Sequence, residues 1–157
     1  MRLTLCVGMR GKVNQMSIKS YSELMRLETF EERFEYLRLD GRVGESTFGF
    51  DRYLNQEFYH KDREWLRTRD KIIIRDNGCD LGSPDREIPE GVKILVHHIN
   101  PITSEDIINR SPKLFDPENL ISTIKITHDA IHYGNKDLLL KDPIERTKND
   151  TCPWRHE

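Results

Sequence analysis

From Tyr21 onward, apolar residues return at helical intervals. Leu24, Leu27, Phe30, Phe34 and Leu37 lie three or four positions apart, with Glu31, Glu32, Arg33 and Glu35 filling the places between. Side chains at that spacing share one side of an α-helix, so the stripe predicts a buried face and its aromatics read as packing. Thr29 and Glu32 have the spacing of a capping box, which divides the stretch into two helices jointed at Thr29. A further helix is expected from about 62 to 75, ended by the turn Asp76-Asn77-Gly78. At 100° per residue, Trp65, Leu66, Ile72 and Ile73 fall on one face and Arg63, Arg67, Lys71 and Arg75 on the opposite one. Arg69 falls within the apolar face, so it must pair with a carboxylate or reach into a site.

Beyond the turn the period changes to two. Val92, Ile94, Val96 and His98 alternate with Lys93, Leu95 and His97, a strand pattern running into a histidine pair, and Asn100-Pro101 turns the chain out of it. Ser104 to Ile108 reads as one helical turn, Leu114 to Glu118 as a loop, and Asn119 to Ile124 as a second short strand. Thr127 can cap a helix carrying His128, Ile131 and His132, with Gly134 as its stop. The glycine-rich run DGRVGESTFG reads as a loop, followed by Phe48, Phe50 and Tyr53 in a short strand or extended arm. Residues 1 to about 20 lack periodicity and read as a frayed or optional extension, and the polar stretch from Lys136, with Pro143 and Pro153, as a tail. The division is therefore 1–20 extension, 21–57 helical and extended region, 58–135 patterned domain, and 136–157 tail.

Composition narrows the class. At 157 residues, with 36% hydrophobic and 33% charged, the chain suits one soluble unit with a modest core. No stretch approaches the roughly 20 apolar residues of a spanning helix, so no membrane partner is expected. Arg10 and Lys12 break the apolar start, which does not read as a secretory signal, and a cytoplasmic location is the default. Cys6, Cys79 and Cys152 are widely spaced with no C-x-x-C pair, leaving neither a disulfide framework nor a thiolate zinc cluster. The net charge of −2 means that any nucleic-acid contact must come from a local basic patch. The Arg63, Arg67, Lys71, Arg75 stripe is the candidate; its alternative is a solvated face partly neutralised by Asp62, Glu64 and Asp70.

Histidine is the informative residue. Four of the six, His97, His98, His128 and His132, fall within 36 residues. On a helix, His128 and His132 project from the same side and can share one metal ion, although pairs at this spacing often only pack or face solvent. Adjacent strand residues point to opposite sides, so one of His97 and His98 can ligate a metal while the other faces a substrate.

In order and spacing, VHHINPIT, PENLIST and THDAIH resemble the HNH nuclease family, over about Phe58 to Asn135. The matching residues are His97-His98-Ile99-Asn100-Pro101, the pair Asn119-Leu120, and His128 nine residues after that asparagine. His132 resembles the three-histidine metal sites of the nuclease-colicin branch, and FYHKDREWLRTRDKIIIRDNGCDLG the helix and turn preceding the motif in phage-type members. The resemblance implies an α+β protein with a ββα-metal (His-Me finger) core and additional N-terminal helices. It implies a metal-dependent DNA endonuclease of a bacterial host cell, with phage packaging proteins as possible partners. His98 would be the general base, Asn119 would orient it, and His97, His128 and His132 would hold one divalent cation. Three imidazoles favour ions such as Zn, Ni, Co or Mn, while phosphate and water oxygens leave Mg open. Many relatives carry a structural zinc on two C-x-x-C pairs. Here Cys79 is followed by Gly82, Ile124 and Thr127 at its partners' positions, so no structural zinc is expected. Cys79 should be a small buried apolar residue, with hydrophobic packing in place of the staple. Two other classes remain: a catalytically idle, metal-stabilised nucleic-acid-binding or assembly module, and a metallo-hydrolase of small phosphoesters.

Overall fold

The computed structural model describes residues 18–39, 51–84 and 86–138. The unpatterned residues 1–17, the glycine-rich run with Phe48 and Phe50, the tail beyond Leu138, Cys6 and Cys152 lie outside the described residues. The fold is α+β, with helices around two small antiparallel sheets.

Two short helices open it. Helix α1 (Tyr21–Leu24) starts at Ser20, whose side chain accepts from the Glu23 amide. Helix α2 (Phe30–Leu37) starts at Thr29 with the expected capping box. Leu24, Phe34 and Leu37 are buried, and Leu27 is half-buried. Tyr53 lies in helix α3 (Arg52–Gln56), not in a strand or arm, because the Asp51 carboxylate caps the Tyr53 and Leu54 amides and nucleates a turn. A π-helical segment, Glu57–Lys61, continues from α3 and turns Phe58 inward. Helix α4 (Arg63–Arg75) is capped by Asp62 and ends in the expected turn, where Asn77 and Gly78 both adopt positive φ. Of its apolar face, Trp65 and Ile72 are buried, Ile73 is half-buried, and Leu66 is exposed.

Strands β1 (Cys79–Asp80) and β2 (Arg86–Glu87) form a two-residue ribbon that the sequence pattern does not announce. Strand β3 (Ile94–His98) pairs antiparallel with β4 (Leu120–Ile124), His97 opposite Ile121 and His98 opposite Leu120. The strand begins at Ile94, so Val92 and Lys93 stay outside it. Helix α5 (Ser104–Ile108) and two 3₁₀ turns, Pro112–Leu114 and Pro117–Asn119, fill the connection. Helix α6 (Lys125–Tyr133) follows β4 directly and stops at Gly134, which takes the left-handed conformation.

Alternation along the β3/β4 ribbon sorts the core into two clusters. On one face, Val96 and Leu120 pack with Phe58, Trp65, Ile72, Ile102 and Leu114, so α4 covers that side. On the other, Ile99 and Ile121 pack with Ile131 of α6, Leu24 of α1 and Leu37 of α2. The ribbon is therefore a partition between α4 and α6. Among the described residues, no helix is long and apolar enough to cross a membrane.

The N-terminal segment joins this unit at Lys19. The Lys19 amide donates to Asn100 Oδ1 at 3.0 Å, and Asn100 Nδ2 returns a bond to the Lys19 carbonyl at 2.7 Å. Ser22 donates its amide and its hydroxyl to the Glu118 carboxylate. Lys19, expected to belong to an optional extension, is thus fastened to the turn that follows the histidine pair.

Candidate metal centre

His97 and His98 leave the ribbon on opposite sides, as strand geometry requires. His97 turns toward α6, where one helical turn places His128 and His132 side by side. Its ring centroid lies 5.2 Å from that of His128 and 4.9 Å from that of His132, and those two are 4.3 Å apart. One nitrogen from each ring can be chosen so that all three lie within 4.8 Å of one another, a group able to hold a metal ion.

The donor set fits such an ion. His97 Nε2 and His132 Nδ1 are fully enclosed and have no hydrogen-bond partner. A buried nitrogen left unpaired costs about 1–3 kcal/mol, and two in one cluster are what ligation would satisfy. Burial, together with the neighbouring imidazoles, holds the His97 pKa well below the usual histidine value. Burial lowers His128 as well and brings His132 down to about 4. At neutral pH all three are therefore uncharged, the form in which imidazole offers a lone pair. His128 Nδ1 lies 3.3 Å from Asp129 Oδ1, while Asp129 also takes Lys125 Nζ at 2.6 Å. A carboxylate at Nδ1 orients the ring and leaves Nε2 to a ligand. Asp129, one residue from His128, is a contributor the sequence reading missed.

His98 stands apart from this group. It stacks on Trp65 with centroids 5.1 Å apart and planes 18° from parallel, with Phe58 at 6.4 Å. Only 6% of it is exposed, and its Nε2 lies 3.1 Å from the Leu114 carbonyl. A carbonyl can only accept, so Nε2 carries the hydrogen and Nδ1 the lone pair. Nδ1 is not among the enclosed nitrogens without a partner. Burial lowers the His98 pKa to about 4.

Asn119 is buried beneath the turns. Its Oδ1 accepts from the Asn100 amide at 2.9 Å and from Asn100 Nδ2 at 2.7 Å, and its Nδ2 donates to the Lys113 carbonyl at 2.9 Å. It therefore touches the residue beside Leu114, not the His98 ring itself. Asn100, expected as the strand terminator and as part of the His97–Pro101 match, is the hub between Asn119 and the N-terminal segment.

The basic stripe of α4 divides. Arg63, Arg67 and Lys71 are exposed. Arg75 is committed to structure: its guanidinium donates to Asp76 Oδ1 and to the Pro117 and Leu120 carbonyls, and it stacks on Tyr21 at 3.6 Å. Arg69 pairs with Asp70 and reaches the Ile94 carbonyl, as its place in the apolar face requires. Since α4 covers the ribbon face opposite α6, the three exposed cations point away from the histidine cluster.

The expected packing near Cys79 is supplemented by polar contacts. Cys79 is half-buried and free, not fully buried. Thr127 does not cap α6; that position falls to Ile124, which has no side-chain cap bond. The Thr127 hydroxyl instead donates to the buried carboxylate of Asp80 at 2.5 Å. No family model, no curated protein and no solved structure matches this chain.

Proposed function

We propose that this protein is a metal-dependent DNA endonuclease of the HNH type, its β3, β4 and α6 forming a ββα-metal core. The observation that carries the reading is the convergence of His97, His128 and His132, with two enclosed nitrogens unpaired. Bound there, a divalent cation such as Zn, Ni, Mn or Mg would act as a Lewis acid on the scissile phosphate and its 3′ oxygen. His98 serves as the base. Its Nδ1 takes a proton from water as the water oxygen bonds to phosphorus and the bond to the 3′ oxygen breaks; solvent protonates the departing oxygen. Leu114 fixes the tautomer that leaves Nδ1 as acceptor, and general-base assistance is worth about 10²–10⁴ in rate. Asn119 is a positioning residue, holding Lys113 beside Leu114.

One observation favours a second reading. The burial of His98 against Trp65 and its low pKa suit a packed ring better than a working base. The alternative is a catalytically idle, metal-stabilised nucleic-acid-binding or phage assembly module. Supercoiled-plasmid cleavage across Mg, Mn, Zn and Ni separates the two. For the nuclease, wild type nicks DNA, His98→Ala loses cleavage and keeps metal, and His128→Ala loses both. Metal binding with no cleavage in any ion supports the second reading. Cleavage surviving in His98→Ala removes His98 as base.

A further inference from the structure

The helix bearing two members of the histidine cluster lacks a cap of its own, since Ile124 at its N-cap supplies no side-chain bond. A carboxylate from a distant part of the chain stands at that end instead. Asp80 in β1 is fully buried. Its Oδ2 accepts the Thr127 hydroxyl at 2.5 Å, its Oδ1 accepts the Gly82 amide at 3.1 Å, and the Ile124 backbone also hydrogen-bonds to it. The β1 turn is pressed onto the same spot: a Cβ at Gly82 would sit 2.4 Å from Thr127 Cγ2, and the Leu81 amide bonds the Ser122 carbonyl at 3.0 Å. Arg33 of α2 holds the turn from behind, donating to the Leu81 carbonyl at 3.1 Å.

We propose that Asp80 is a positioning residue for the metal centre, acting through Thr127 to set the rotation and depth of α6 against the ribbon. Thr127 immediately precedes His128 in the first turn of α6, so a helix pinned at Thr127 has its His128 and His132 directions fixed relative to His97. A rotation by even a fraction of a turn would carry both imidazoles away from the third. The inference rests on the metal-centre reading and adds the element that pre-organises it; nothing in it requires nuclease activity.

The test is Zn²⁺ or Co²⁺ titration of the full chain by calorimetry and by the Co²⁺ ligand-field spectrum, with melting followed in parallel. Thr127→Val keeps the shape of the side chain and removes the hydroxyl; Thr127→Ser restores it. Asp80→Asn is the milder partner variant if Thr127→Val does not fold. Ile72→Ala, in α4 on the opposite ribbon face, controls for destabilisation alone. Thr127→Val or Asp80→Asn is expected to weaken metal binding about tenfold or more at a temperature where it is folded, and to alter the Co²⁺ spectrum. Thr127→Ser should recover affinity and spectrum, and Ile72→Ala should melt lower while binding as wild type does. Unchanged affinity in both Thr127→Val and Asp80→Asn, or an equal loss in Ile72→Ala, overturns the positioning role while leaving the metal centre intact. Wild type that binds neither ion overturns the metal-centre reading and the inference with it.

Discussion

Replacing His98 by Gln should remove a defined part of the acid sensitivity of the metal-free fold. In the folded protein the His98 pKa is about 4, against an ordinary 6.5, because burial opposes the charged ring. For a base depressed in this way, neither state is protonated above pH 7, so the group then costs nothing. As pH falls through 6.5 the unfolded chain takes up a proton that the folded one refuses until about 4, and stability is lost across that window. A shift of that size corresponds to roughly 3 kcal/mol, a large share of the ~5–15 kcal/mol typical of a domain. Urea unfolding followed by circular dichroism, in chelator from pH 7.5 down to 4, gives the two stability curves. Chelation matters because ligation adds its own proton release. Wild type should lose about 3 kcal/mol more than His98→Gln between the two ends. His97, His128 and His132 act in the same direction in both proteins and cancel in the difference. Parallel curves would refute the claim that His98 is held neutral by its surroundings.

Two further outcomes follow from surfaces on either side of the ribbon. Replacing Arg67 and Lys71 by Ala should flatten the salt dependence of DNA binding by about 2 if each meets a phosphate, with metal affinity unchanged because α4 faces away from the cluster; fluorescence anisotropy over a salt series reads this. Gly82→Ala should cost about 1–3 kcal/mol in a urea titration, because its methyl would collide with Thr127 Cγ2 in a tightly packed turn.

What the sequence disclosed were the features written in local period. Thr29 with Glu32, the α4 boundaries, the twin histidines on opposite strand faces and the Gly134 stop all depend on neighbours within one turn or one strand, and the structure carries them. The clustering of His97 with His128 and His132 was accessible because i,i+4 spacing and a strand end are short-range rules. What escaped was set by long-range partners. Asp80 looks like a turn residue until Thr127, 47 positions later, meets it. Arg75 belongs to the basic stripe by angle, yet carbonyls at Pro117 and Leu120 claim it. Tyr53 is helical because the Asp51 carboxylate caps the turn ahead of it, and Thr127 is no cap because α6 already begins at Lys125, which leaves the Thr127 hydroxyl to Asp80.

The fastening of the N-terminal segment also has a temporal side. Ser22 and Glu118 are separated by 96 residues, and Lys19 and Asn100 by 81. A ribosome adding about 5–20 residues per second needs roughly 5–20 s to supply the later partner. Through that interval Leu24 and Leu37 lack the Ile99, Ile121 and Ile131 side chains they pack against in the finished fold. Closure of so distant a contact belongs among the slow, late events of folding.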